Sequence, residues 1–203
     1  DGNQALTLTA GTGGVAFTNN VGGGTALASL DVSGGVADIS DGVDITADGD
    51  INFGAASVAG SSLITSNAGS VSFVDSVSGD TTGSLTVLAF NDVGTSNPGI
   101  RDFINVTLTA TNGTATVADV DISGDLQAEA GTNILLTGTD YSTTGGSMGF
   151  TGAVNLANDV TITSGGGAGQ DINFSSTVDA DDAAGFIRTM SLDAGADGDI
   201  VVT

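Results

Sequence analysis

The sequence predicts an all-β chain wound as a parallel β-solenoid of roughly ten short rungs. Three observations predict it. A short phrase recurs along the chain: "VAF" (15–17), "INF" (51–53), "VSF" (71–73), "MGF" (148–150) and "INF" (172–174). Within each phrase the apolar residues lie two apart, the strand period that places both on one face. Glycine, Asn or Asp interrupts the chain at nearly every break between phrases, as tight turns require.

The units can be taken in order. The first, "LTLTAGTGGVAF" (6–17), pairs Leu6 and Leu8 with Val15 and Phe17 across a glycine-rich turn. The next, "VDITADGDINF" (43–53), pairs Val43 and Ile45 with Ile51 and Phe53. "SLITSNAGSVSF" (62–73) is a degenerate copy. "VTLTATNGTATV" (106–117), "ILLTGTDYSTTGGSMGF" (134–150), "VTITSGGGAGQDINF" (160–174) and "MSLDAGADGDIVV" (190–202) follow. Units start on average about 20 residues apart, which suits one coil whose strands stack at about 4.8 Å, giving a rod about 50 Å long. Stacking places like on like: aliphatic residues inside, small residues at corners where positive φ is needed.

The chain reads as a single solenoid domain over 1–203, with an irregular region near 83–105 that holds the only proline, Pro98. The alternative is a pair of β-sandwich domains, which the longer apolar stretches of 83–113 would suit. Sandwich cores normally use large aromatic residues and longer strands, and this chain has eight Phe, one Tyr and no Trp. No segment holds a helical period for three turns. "DADDAAGFIRTM" (179–190) is the best helical candidate and still reads as an insertion or loop.

Composition narrows the function. Of 203 residues, 33 are glycine, and the net charge is −22. The acids are 23 Asp and one Glu (Glu129), against Arg101 and Arg188, with no Lys, His or Cys. Two cations cannot neutralise a phosphate backbone, so nucleic acid is excluded as a partner, and anionic membrane surfaces with it. No apolar run is long enough to insert in a membrane. Without cysteine there are no disulfides, thiolate nucleophiles or thiolate metal sites. The charge makes copies of the chain repel one another, a repulsion that salt or divalent cations relax.

Four motifs could carry chemistry. The turns "ADGDI" at 47–51 and 196–200 place Asp48, Asp50, Asp197 and Asp199 as weak calcium candidates, since Ca²⁺ takes hard oxygen ligands on tight turns. The competing reading makes them solvated turn aspartates bonding their own backbone. Gly166–Asp171 matches the start of a calcium-binding nonapeptide, but the apolar residue that should follow is out of phase at Asn173. Asp179, Asp181 and Asp182, and Asp38, Asp41 and Asp44, supply the paired carboxylates that glycoside hydrolysis needs. They do so without the His, Lys or Trp that usually accompany them. Thr-x-Thr at 7–9, 107–111 and 161–163 raises ordered-surface binding, although the copies are irregularly spaced. No catalytic or cofactor-binding residue is assigned, the chain reads as no enzyme, and calcium is the sole cofactor the turns suggest.

"LTLTAGTGGVAFTNNVGGGTALASLDVSG" (6–34) and "GAVNLANDVTITSGGGAGQDINFSSTVDAD" (152–181) resemble the repeats of filamentous-haemagglutinin-like adhesins and related autotransporter-type bacterial exoproteins. The resemblance is one of repeat style and is weakest around 83–105. It implies a right-handed parallel β-helix, secretion to the bacterial cell surface, and a role in adhesion, matrix or filament building. The first unit starts at Leu6 and the last runs through Ile200, Val201 and Val202 without a cap. The expectation is therefore a segment of a longer exoprotein or a subunit that stacks end to end. The expected function is a non-enzymatic structural or adhesive solenoid whose partner is itself. The alternative is a module that binds surface glycans and does not polymerise.

Overall fold

The computed structural model describes residues 3–180 and 187–203. They form a parallel β-solenoid of about eight turns, with no helix among the described residues. Three faces run along it. Face A carries Ala5–Thr9, Val71–Phe73, Val93–Thr95, Thr114–Val117, Asn133–Leu136, Val154–Leu156 and Val178–Ala180. Face B carries Val15–Phe17, Val77–Ser78, Ile100–Arg101, Val120–Ile122, Asp140–Thr143, Val160–Thr163 and Met190–Asp193. Two longer strands, Ser29–Ile39 and Ile51–Val58, run round the corner from A to B and join those faces into a 16-stranded sheet. Face C is a separate 8-stranded sheet: Ile45–Ala47, Ser62–Ser66, Ser84–Ala89, Asn105–Ala110, Leu126–Ala130, Met148–Thr151, Ile172–Phe174 and Ile200–Val202. At about 4.8 Å per step the stack is roughly 40 Å tall, shorter than the rod expected from the repeat count. The longer connections, such as that between Val160–Thr163 and Ile172–Phe174, consume residues without adding a turn.

Every strand pair is parallel, which the sandwich alternative could not provide. The ladder stacks like on like. On face A, Leu30, Ile51, Val71, Val93, Ala115, Ile134 and Val154 form one inward column. On face C, Ile45, Ile64, Val87, Leu108, Ala128, Phe150 and Phe174 form another. The rings stack too: Phe53 on Phe73 at 5.3 Å and Phe150 on Phe174 at 5.0 Å between centroids, with Phe17 edge-on to Phe53. A column only one side chain deep from each face needs no large aromatic centre, and Tyr141 is its largest buried side chain.

The region around 83–105 is regular. Ser84–Ala89 pairs residue for residue with Asn105–Ala110, and the cis Asn97–Pro98 bond lies in the corner between faces A and B, where no ladder bond needs the missing N–H. Positive φ accounts for ten of the described glycines. Many others sit where one corner rests on the corner below. A Cβ on Gly83 would lie 1.6 Å from the Gly60 carbonyl oxygen, and one on Gly35 equally close to that of Gly13. Backbone touches backbone there, so corner glycine is demanded by contact as well as by conformation.

Candidate functional site

The residues singled out for chemistry are mostly found at the corners, and the corners explain them. At these strand entries the residue that leads into or opens the strand has its carbonyl taken by the turn below. The Ser70 oxygen accepts from the Ile51 N–H at 2.9 Å, and that of Ser147 from Leu126 at 3.0 Å. Its own N–H has no ladder partner and must find an acceptor. A short oxygen-bearing side chain in the equivalent position one turn below supplies it. Entering face C, Ser61 Oγ accepts from the Ser84 N–H (3.1 Å), Asn105 Oδ1 from Asp125 (2.8 Å), and Asp125 Oδ1 from Ser147 (2.8 Å). Ser147 Oγ then accepts from Asp171 (3.1 Å) and Asp171 Oδ1 from Asp199 (2.9 Å).

Entering face A, the same relation links Asp50 to Ser70 (2.9 Å), Ser70 to Asp92 (3.2 Å) and Asp92 to Thr114 (2.8 Å). Entering face B, Asp119 Oδ1 accepts from Thr139 and Asp140, and Asp159 Oδ1 from Thr189. This is the logic of a helix N-cap, in which a side-chain oxygen satisfies an orphan N–H, repeated up a solenoid. Glu is too long for it, which fits a chain with 23 Asp and one Glu.

The calcium candidates divide between two distant corners. Asp50 belongs to the ladder, and Asp48 accepts Nδ2–H bonds from Asn67 and Asn3, both at 3.0 Å. Asp199 gives its backbone N–H to Asp171 in the last turn, with Asp197 on the same connection. The structure does not bring the two pairs together. Among the described residues no three His, Cys, Asp or Glu side chains form a group that could hold a metal ion. The expectation that turn aspartates bond their own backbone needs correcting for Asp50: its bond goes to the next turn, because that is where the orphan N–H lies.

The carboxylates of Asp38, Asp41 and Asp44 are also dispersed. Asp38 faces outward on face B, Asp41 Oδ1 accepts from the Ser61 N–H (3.0 Å), and the Asp44 N–H donates to Asn20 Oδ1 (3.0 Å). Asp179 lies on Val178–Ala180, while Asp181 and Asp182 lie outside the described residues. The Gly166–Asp171 segment leads into face C, and its Asp171 is a corner cap. The three Thr-x-Thr motifs fall on three different faces: 7–9 on A, 107–111 at C and 161–163 on B. A shallow hollow of about 240 Å³ lies on face B between Pro98, Arg101, Asp119, Asp121 and Asp140. The Arg101 guanidinium there donates to the Pro98 carbonyl oxygen at 2.9 Å.

Sequence reasoning missed a set of buried staples. Ser66 Oγ donates to the Gly49 carbonyl (2.8 Å) and accepts from the Gly69 N–H (3.0 Å). Thr143 Oγ1 donates to the Gly146 carbonyl at 2.7 Å. The Tyr141 hydroxyl donates to the Val117 carbonyl (2.7 Å) and accepts from the Gly138 N–H (2.9 Å). Burial pushes that phenol well above its ordinary range, reinforced by the charge of Asp119. A signal was present: Ser66 and Thr143 each hold an inward strand position with glycine three residues on.

No protein-family model, curated protein or solved structure matches the chain.

Proposed function

We propose that this chain is a non-enzymatic structural solenoid of the bacterial cell surface, forming or extending a filament, sheath or matrix fibre. One observation carries the reading. Among the described residues the carboxylates form no group that could hold a metal ion, and those of Asp41, Asp50, Asp92, Asp119, Asp125, Asp159 and Asp171 sit at the corners, each accepting a backbone N–H of the next turn. Such a chain devotes its polar groups to stacking. Among the described strands, Val178–Ala180, Met190–Asp193 and Ile200–Val202 stand at the ends of their sheet orders. The edge of a parallel sheet is a template on which a strand of another copy can pair. The repeat style described above supports the extracellular setting.

Negative-stain imaging at neutral pH tests it. Fibres that lengthen with added salt or Ca²⁺ are the expected result, since both relax repulsion between highly acidic copies. Isolated particles under every condition, together with retention on a glycan array, would replace this reading by a non-polymerising adhesin module.

A further inference from the structure

We propose that Asn112–Gly113 is a self-modification site, at which the folded chain converts Asn112 through a cyclic imide into aspartate and isoaspartate. Asn112 is the one asparagine followed by glycine, and the fold demands that glycine. The pair turns the corner between Asn105–Ala110 on face C and Thr114–Val117 on face A. A Cβ on Gly113 would run into the Asp92 carboxylate and the Asn91 backbone one turn below. Asp92 stands there because its Oδ1 accepts the Thr114 N–H at 2.8 Å. The cap that joins the turns thus excludes every side chain that would shield the nitrogen after Asn112.

Ring closure needs two free groups, the Asn112 amide and the Gly113 N–H. Asn112 is exposed. Its backbone is engaged on both sides: the N–H donates to the Phe90 carbonyl (2.9 Å), and the carbonyl accepts from Thr132 Oγ1 (3.0 Å). Among the described residues nothing bonds its side-chain amide or the Gly113 N–H. The Asp–Gly pairs at 41–42 and 48–49 lack this freedom. The Gly42 N–H donates to the Ser61 carbonyl (3.0 Å) and that of Gly49 to Ala28 (2.7 Å). The Asp41 and Asp48 carboxylates accept bonds of their own. Asp197–Gly198 offers a carboxylate, whose oxygen leaves poorly at neutral pH.

The reaction takes only water. The Gly113 nitrogen loses its proton to solvent and attacks Asn112 Cγ; the Cγ–Nδ2 bond breaks and ammonia departs, leaving the imide. Water then adds to one imide carbonyl and cleaves its bond to nitrogen. Opening at Cγ gives aspartate. Opening at the backbone carbonyl gives isoaspartate, in which the main chain runs through Cβ and Cγ and is one atom longer. That atom falls between two fixed registers, Thr109 against Leu88 and Glu129 before it, and Thr114 against Asn133 after it. The corner must buckle, and the Asp92 bond to Thr114 is lost with it.

Peptide mapping by mass spectrometry tests the proposal. The intact chain is aged at mildly alkaline pH, folded or in urea, and digested with pepsin in acid. In the folded chain Asn112 is expected to be the first asparagine to become an acid, at a rate within about tenfold of that in urea. Asp41–Gly42 and Asp48–Gly49 are expected to isomerise in urea alone. Protection of Asn112 beyond that factor, earlier loss at another asparagine, or equal isomerisation of those two pairs in the folded chain overturns the inference. Asn112→Asp adds the charge without the extra backbone atom and is expected to unfold at nearly the wild-type urea concentration. The isoaspartate form, separated by chromatography, is expected to unfold at a lower one, and a midpoint equal to wild type would overturn the effect on the corner. None of these readouts depends on whether the chain polymerises.

Discussion

The carboxylate of Asp125 accepts the backbone N–H of Ser147, its counterpart one turn further on, at 2.8 Å. The Asp125 N–H is itself received by Asn105 Oδ1, and Ser147 Oγ receives the N–H of Asp171. Each corner residue thus caps its successor, and the chain of caps runs parallel to the β-ladder.

Asp125→Ala removes one link and leaves the Ser147 N–H at a strand entry without its acceptor. A loss of about 1 kcal/mol is expected, by analogy with a helix N-cap, while Asp125→Asn, which keeps an acceptor oxygen, is expected to stay close to wild type. Urea denaturation of the two variants checks it. Equal losses would mean that charge, and not the acceptor, is what the corner needs.

Asp80 is the corner carboxylate on which hydrogen bonds converge most. Its Oδ1 accepts from the Thr82 hydroxyl (2.7 Å) and N–H (3.0 Å), and its Oδ2 from the Gly60 N–H (2.9 Å). The Thr82 hydroxyl bond, then the backbone bonds of Thr82 and Gly60, hold its carboxyl below the usual aspartate value. A depressed folded-state value contributes stability that is complete above the unfolded value, near 4, and is lost as pH falls through the lower folded one. Asp80→Asn should therefore flatten the acid end of the stability–pH profile and leave its slope above about pH 5 unchanged. Thermal melts between pH 2 and 7 read this directly.

Two buried serines on one strand should respond in opposite senses. Ser62 Oγ has no hydrogen-bond partner, between buried Val43 and its register partner Leu85. Ser62→Ala is expected to raise stability by about 1 kcal/mol, because it removes an unpaired buried hydroxyl. Ser66→Ala breaks bonds to both Gly49 and Gly69 and is expected to cost about 1–3 kcal/mol. Chemical denaturation that moved both variants the same way would contradict these hydrogen-bond assignments.

Phe53 is 1% exposed, stacked on Phe73 and edge-on to Phe17. Phe53→Ala should cost about 3–5 kcal/mol. Phe53→Asp and Ile51→Asp should be worse, since each buries a charge that no partner meets. A melting temperature unmoved by any of these would show that the inward face of Ile51–Val58 has been misassigned.

The local alphabet of this fold is legible in the residues themselves. Alternation at period two marks the inward positions: Val43, Ile45, Ile51 and Phe53, paired from sequence, are all buried. Short polar residues before each apolar pair mark the strand entries, although the sequence does not show that their oxygens serve the next turn. Only the tertiary structure decided where around the coil each phrase falls. "VAF" at 15–17 lies on face B, "INF" at 51–53 and "VSF" at 71–73 on face A, and "MGF" at 148–150 and "INF" at 172–174 on face C. The same divergence scatters the three Thr-x-Thr motifs and separates the two "ADGDI" turns. The reason is physical. Which side of a strand is buried depends on neighbouring residues alone, whereas angular position around a solenoid accumulates over every preceding corner. Identical phrases therefore reach different faces once the connections between them differ in length.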